Sequence, residues 1–383
     1  EIVKVKDDGL KMIGLSFINQ HDSLYLKERL ECLDDGMHDS CFWEETLYQK
    51  NKMFIYGKIV DTNYVDEINT YEELRNVDDH STHLNNETLS LIADVFKINV
   101  EQIKNIKSLK KGMTNRSFLF EINQDKYIMR IPGEGTDQLI NRKEEYEVYQ
   151  VIKDLNISDE VIYMNPQNGY KITKYLNDTR VCNQDDQEDL RKCMKLLKYF
   201  HQQNLKVDHE FNIFEKIDFY EKLRGPKSLY KDYNQTKEKV FSLKNIIEKM
   251  PKEWRLCHID ANCDNFLFYK ENEEEKIKLI DWEYAAMQDI HLDIAMFCIY
   301  SMYNRQQVDN LIDIYFENKC DQQTRIKIYC YISMCGLLWS NWCEYKYTLG
   351  VEFGEYSLAQ YRFAKDYYKI VMEEMENIEK CVK

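Results

Sequence analysis

The chain has 383 residues, a formal net charge of -15 at pH 7, and hydrophobic and aromatic shares of 44% and 13%. This apolar share excludes a disordered chain, the length leaves room for two or three domains, and the acidic balance argues against nucleic acid and anionic membrane as partners. It favours, mildly, a cationic small-molecule substrate. No run reaches the roughly 18 apolar residues that span a bilayer, and no basic-then-apolar leader opens the chain. The twelve cysteines are scattered singly with no C-x-x-C pair, as expected of free thiols in a reducing compartment. A soluble cytoplasmic enzyme is the expectation. The first residue is Glu1, not Met, as in a fragment or a processed chain.

In chain order, strand-like runs at Ile13 to Phe17 and Met53 to Val60 flank a helix expected around Leu24 to Leu33, a mixture that reads as the tail of an α/β domain. The aperiodic polar stretch Asp78-Asp79-His80-Ser81-Thr82-His83 marks a break. Asn86 to Phe96 has helical spacing, with Leu89, Ile92, Ala93 and Phe96 on one face. Phe118 to Ile122 and Tyr127 to Ile131 read as a hairpin turning at Gln124-Asp125, and a long helix is expected over Leu139 to Leu155. Ile172-Thr173-Lys174-Tyr175-Leu176 is a short extended run. Beyond it the chain reads as helical except for one further hairpin. The expected class is α+β: residues 1–79, then a small mixed lobe at 80–176, then a large helical lobe at 177–383.

The further hairpin carries the chemistry. His258-Ile259-Asp260-Ala261-Asn262-Cys263-Asp264-Asn265 has the pattern H-x-D-x-x-x-x-N and runs directly into Phe266-Leu267-Phe268-Tyr269. After an acidic turn (Glu271 to Glu275), Ile277-Lys278-Leu279-Ile280 ends on Asp281-Trp282-Glu283-Tyr284. An antiparallel pair of these runs sets Asn265 beside Asp281, with Asp260 in the loop just before them. An amide oxygen and a carboxylate are hard ligands suited to Mg²⁺, and an adjacent Asp can take the proton of an attacking hydroxyl, as in phosphotransferases. His258, grouped with Asp260 in this loop, reads as a hydrogen-bonding brace rather than an acid or base.

Upstream, Gly112-Met113-Thr114-Asn115 is either a loop whose amides and hydroxyl cover phosphates or an ordinary glycine turn. Arg130 lies on the second strand, where such enzymes carry a cation for the α/β-phosphates of ATP, and Glu145, with Glu144 as rival, is placed to orient it. Thr173 and Tyr175 fall in the run where an interlobe hinge offers backbone groups to adenine. Near the C-terminus Trp339, Trp342 and Tyr345 recur at i, i+3 and i+6. That stripe is either helix core or a receptor for a quaternary ammonium, which offers no hydrogen bond and is held by aromatic faces.

Taken together, His258 to Asn265, Leu279 to Tyr284, Asp293-Ile294-Ala295 and Trp339-Ser340-Asn341-Trp342 resemble choline/ethanolamine kinases, nearest to the bacterial choline kinases. Gly112 to Asn115 and Tyr127 to Gly133 are similar to the small lobe of that family, and the resemblance spans about residues 84 to 375. It implies a bilobal protein-kinase-like fold, with Asp260 as catalytic base, Asn265 and Asp281 as Mg²⁺ ligands, and Thr114, Asn115, Arg130, Glu145, Thr173 and Tyr175 around ATP. Asn262, Tyr284, Tyr303, Trp339 and Trp342 would then face choline or a similar small amino alcohol. Two positions depart from the family pattern: Asp264 stands where Gly is frequent, and Leu358 where eukaryotic members have a cage Tyr. A related ethanolamine, sugar or aminoglycoside kinase, and an inactive kinase-like binding module, are the alternatives. The N-terminal piece (Phe42-Trp43-Glu44-Glu45, Val65 to Leu74) is similar to the last third of a CTP:phosphocholine cytidylyltransferase, without that enzyme's glycine loop. A truncated, inactive transferase remnant is implied.

Overall fold

The computed structural model describes residues 18, 20–33, 87–109, 115–133, 139–272 and 274–382. The chain divides into two compact units, Glu1–Thr82 and His83–Lys383. In the first, helix α1 (Gln20–Leu33) contains the helix expected at Leu24 to Leu33 and buries Leu26. The strand-like runs before and after it, and the transferase-like segments, lie outside the described residues.

The second unit opens with α2 (Glu87–Phe96), whose Leu89, Ile92 and Ala93 are buried on the expected face. Phe96 of the same stripe packs against Tyr127 and Phe120, with centroids 4.7 and 6.1 Å away. These rings belong to a five-stranded antiparallel sheet, β1 (Lys104–Ser108), β2 (Asn115–Ile122), β3 (Asp125–Pro132), β4 (Val161–Met164) and β5 (Lys171–Lys174), in the order β1-β2-β3-β5-β4. The β2–β3 turn falls on Asn123 and Gln124, one residue earlier than expected, because Asp125 already pairs with Ile122. Both turn residues have positive φ (51° and 74°), the geometry that matches a two-residue turn to strand twist. Helix α3 (Arg142–Ile152) is capped by the Asn141 side chain. It is shorter than expected, tightening into a 3-10 turn at Lys153–Leu155 and stopping at left-handed Asn156.

The larger lobe contains β6 (Arg180–Val181), α4 (Gln187–Gln202), α5 (Ile213–Arg224), α6 (Tyr233–Ser242), α7 (Lys244–Ile247), β7 (Trp254–Cys257), the hairpin β8 (Phe266–Glu271) and β9 (Glu274–Leu279), β10 (Ala286–Asp289), α8 (His291–Tyr300), α9 (Arg305–Phe316), α10 (Gln322–Thr348) and α11 (Glu355–Val382). The expected hairpin is present, and β6 adds to its β8 edge. A second pair, β7 with β10, interrupts the helical lobe that the sequence suggested; its four-residue strands carry no alternation to betray them. Helix α10 is the axis of the lobe, buried without a break from Ile326 to Glu344 and packed on α5, α8 and α11. Being buried on all sides over that stretch, it is a core helix.

Gly336 lets α10 and α11 touch. A Cβ there would lie 2.7 Å from the Gln360 carbonyl oxygen and 2.8 Å from the Ala364 nitrogen, both backbone atoms of α11. Gly336→Ala is therefore expected to destabilise by about 1–3 kcal/mol despite the better helix propensity of Ala. A lowered urea midpoint at unchanged m-value is the expected readout; a raised midpoint would contradict this packing.

Candidate active site

The β8–β9 register pairs Phe266 with Leu279, and the Ile280 N–H donates to the Asn265 carbonyl at 2.9 Å. Asn265 and Asp281 therefore emerge side by side at the hairpin end. The chain reaches Asp260 through Ile259, a β-branched residue at φ 68°, and Asp281 itself sits at φ 67°. Such backbones are held only where surroundings over-determine them. Here the fully buried Asp293 accepts the His258 and Ile259 amides at 2.9 and 2.7 Å and pairs with His201 Nε2 at 2.9 Å. Trp282, without exposure, donates its indole N–H to the Leu279 carbonyl and packs edge-on to His258.

Asp260 is half-buried, and its carboxylate is oriented by two amides: Asn262 donates to Oδ1 (3.1 Å) and Asn265 to Oδ2 (3.0 Å). Burial pushes its pKa up to about 7; hydrogen bonds from Tyr300, Asn262 and Asn265 work downward, and the nearby Glu283 works upward. Asp281, with its side chain 37% exposed, is raised by burial and by Glu283, against the pull of Arg130 at 3.8 Å. The Asn265 Nδ2 is engaged with Asp260, so its Oδ1 is the atom left to ligate. One amide oxygen beside two carboxylates that resist ionising together is a donor set that calls for a cation. His258 is lowered to about 4 by burial and its Nε2 meets the Ile280 carbonyl at 3.0 Å, which makes it a neutral tie between loop and hairpin.

Above this loop, Arg130 Nη2 lies 2.6 Å from Glu145 Oε1 and 2.8 Å from Oε2. Burial opposes the charge on Arg130, but Glu145, Glu283 and Asp281 outweigh it and hold the guanidinium charged. Glu144 instead accepts from the Asn141 side chain at the helix cap. Asn115 donates to Glu283 Oε2 (2.9 Å) and accepts from Arg142 (3.1 Å). Thr114, with Gly112 and Met113, lies outside the described residues. Thr173 is buried within β5 between Ile128 and Val161, and the Tyr175 amide donates to the Lys126 carbonyl.

An aromatic cluster fills the lobe beside Asp260. Trp339 packs against Trp342 (5.2 Å), Tyr300 (5.3 Å) and Tyr284 (6.5 Å); Phe353 adjoins Trp342 (5.1 Å), and Tyr356 adjoins Tyr300 (6.4 Å) and Phe353 (6.3 Å). Tyr300 also hydrogen-bonds Asp260, joining the cluster to the loop.

Residues 106–335 match the family model described as choline/ethanolamine kinase. The chain belongs to this family. Two Haemophilus influenzae relatives, each called Protein LicA, are 27% identical to this kinase over 264 and 263 residues, covering 64% of it and 75% and 95% of themselves. The crystal structure of choline kinase LicA from Streptococcus pneumoniae is similar with a TM-score of 0.63 and 26% identity over 73% of this chain and 98% of that one. A LicA structure in complex with AMP matches with the same score and identity over 75% and 100% of the two chains. The fold is thus the bilobal protein-kinase-like one, and the chain is a small-molecule kinase.

In this kinase the structure brings together Asp260, Asn262, Asn265 and Asp281 at one hairpin end, Arg130 with Glu145 above it, and Tyr284, Trp339 and Trp342 beside it. It does not bring Tyr303 to the tryptophans: that side chain is buried against Phe297 and donates to the Gln184 carbonyl. Tyr300 is the ring that meets Trp339 instead, because it lies three residues earlier, within α8, whereas Tyr303 lies past the helix end. Leu358 is 40% exposed, and Tyr356, two positions before it, supplies the aromatic of that turn. Arg142, Glu283 and Phe353 escaped sequence reading. Glu283 was within sight, two residues past Asp281 in the turn that follows the hairpin.

A prediction follows from neutral His258. Its folded pKa of about 4 lies below the ordinary 6.5, so unfolding takes up a proton between those values. Stability is therefore lost as pH falls from 6.5 towards 4 and is fully present above 6.5. Urea midpoints measured across that range should fall less steeply for His258→Gln than for wild type; parallel slopes would remove His258 from the linkage.

Proposed function

We propose that this kinase transfers the γ-phosphate of ATP to the hydroxyl of choline, giving phosphocholine and ADP. The observation that carries this reading is the aromatic cluster of Tyr284, Tyr300, Trp339, Trp342, Phe353 and Tyr356, joined through Tyr300 to the carboxylate that would act as base. Faces of Trp and Tyr attract a quaternary ammonium by about 0.5–2 kcal/mol per contact and demand no hydrogen bond from it. The likeness to choline kinase LicA supports the same choice.

Asn265 and Asp281 would hold Mg²⁺, with Asp260 adjacent. Bound there, the ion supplies charge neutralisation for the phosphates. The chain's own residues do the rest. Arg130, fixed by Glu145, meets phosphate oxygens as a charged fork. Asn262 and Asn265 fix the two oxygens of Asp260, so the carboxylate faces the acceptor hydroxyl in one orientation. As that oxygen bonds to the γ-phosphorus and the bond to ADP breaks, its proton passes to Asp260. A carboxylate with a pKa close to 7 is suited to receive it near neutral pH.

Ethanolamine is the second reading, because Tyr356 has a buried hydroxyl with no hydrogen-bond partner among the described residues, and that oxygen can accept from a primary ammonium. Turnover with ATP and Mg²⁺ against choline, ethanolamine and an aminoglycoside, with products identified by mass, separates these. The expected result is phosphocholine with at least tenfold higher kcat/KM for choline. Phosphorylation of ethanolamine alone, or of neither amino alcohol, would overturn the choline assignment.

Two substitutions test the division of labour. Asp260→Ala should lower kcat by about 100- to 10,000-fold while ATP affinity stays within a few-fold. Trp339→Ala should raise the choline KM about 3- to 30-fold with little change in the ATP KM. Equal shifts in both KM values would return Trp339 to a purely structural role.

A further inference from the structure

Arg142 is the most heavily committed side chain in the cleft to which the mechanism above gives no task. It is the first residue of α3, 5% exposed, and its guanidinium joins three separate segments. Nη1 donates to Glu145 Oε2 (2.9 Å) and to Glu283 Oε2 (3.3 Å), while Nη2 donates to Asn115 Oδ1 (3.1 Å). Asn115 closes the ring by donating to the same Glu283 oxygen. Each partner leads to a working part. Glu145 holds Arg130, Glu283 follows Asp281 by two residues, and Asn115 ends the segment 112–115 that the family resemblance puts near ATP.

The stem of Arg142 is clamped as firmly as its head. Gly169, at φ 69° in the β4–β5 connection, has no side chain where a Cβ would lie 2.6 Å from Arg142 Cδ, 2.8 Å from its Nε and 2.8 Å from Pro132. A left-handed glycine here is required twice, by backbone geometry and by the room Arg142 takes.

Charge bookkeeping gives this junction a consequence. Three carboxylates surround Arg130: Glu145 at 2.6 Å, Glu283 at 3.7 Å and Asp281 at 3.8 Å. With Arg142 on Glu283, Arg130 has a reason to stay with Glu145. Without it, Glu283 loses a close cation, and its remaining pull on Arg130, 3.7 Å away, competes with that of Glu145. A Lys cannot replace the fork, because one ammonium does not span two carboxylates and an amide with fixed geometry.

We propose that Arg142 is a positioning residue for phosphoryl transfer: it neutralises Glu283 and ties Asn115 and Glu145 together, so that Arg130 is held for the phosphates of ATP. The proposal rests on the ATP-dependent reading above, but its test is read in nucleotide affinity, not in choline turnover. Arg142→Met should weaken ATP binding at least tenfold by calorimetry in the presence of Mg²⁺ and raise the ATP KM to match. It should lower kcat at least tenfold and leave the choline KM within twofold of wild type. A role confined to holding the fold would lower Tm and leave these constants of the folded fraction alone; wild-type ATP affinity and kcat in Arg142→Met would overturn the proposal. Should that variant be insoluble, Arg142→Lys decides on the same readouts. A threefold or larger loss of ATP affinity with unchanged choline KM supports the fork, and unchanged ATP affinity overturns it. Wild-type protein that binds ATP but fails to phosphorylate choline would sink the choline assignment and leave the Arg142 test standing.

Discussion

A single buried carboxylate underlies the geometry of the cleft. Asp293 accepts the amides of His258 and Ile259 and pairs with His201, and none of its surface reaches solvent. Ile259 is held at positive φ, an arrangement that costs a β-branched residue on the order of 1–3 kcal/mol. That cost is met by the two hydrogen bonds and by the burial of His258 edge-on against Trp282. What the strain secures is the direction of Asp260, which leaves the core at the moment the chain turns towards the hairpin. The loop that carries Asp260, the proposed base, is tied to the core through this anchor.

The second constraint is electrostatic. Asp260, Asp281, Glu283 and Glu145 share a small volume with Arg130 and Arg142. Glu145 has fixed cations around it: burial alone would raise its pKa, and Arg130, Lys171 and Arg142 hold it low. Those left facing the cleft, Asp260 and Asp281, are raised by burial instead. The site is therefore polarised in advance. Its back is internally neutral, and its mouth is rich in oxygens suited to a magnesium ion and a proton. The aromatic cluster completes this division by offering a cation large faces.

Much of this was legible in the sequence for a physical reason. The residues proposed for catalysis are local: the loop His258 to Asn265 and Asp281 are joined by a short hairpin whose two apolar runs announce their own pairing, so spacing alone predicts convergence. The β2–β3 hairpin and α2 were read for the same reason, since period-two and helical patterns are short-range signals. What failed to show is long-range. Arg142 meets Glu283 across 141 residues, and Asn115 meets it across 168, with no periodicity to connect them. The β7–β10 pair is too short to alternate. Tyr303 was preferred over Tyr300 because residue order cannot say where α8 ends, and one helical turn decides which ring faces Trp339. Of the two readings of Trp339 and Trp342, core or receptor, burial shows the first directly: they are 6% and 5% exposed and packed like core, while their neighbours Tyr284, Tyr300, Phe353 and Tyr356 remain partly open.

The central claim is that the aromatic cluster and the Asp260 loop form one site, sized for a quaternary ammonium at one end and a hydroxyl at the other. A crystal structure with choline and a non-hydrolysable ATP analogue tests it most directly. The account predicts the choline nitrogen within about 6 Å of the Trp339 ring centroid and its hydroxyl oxygen within about 3.2 Å of an Asp260 carboxylate oxygen. Choline bound away from Trp339 and Trp342, or bound there with its hydroxyl turned from Asp260, would contradict it.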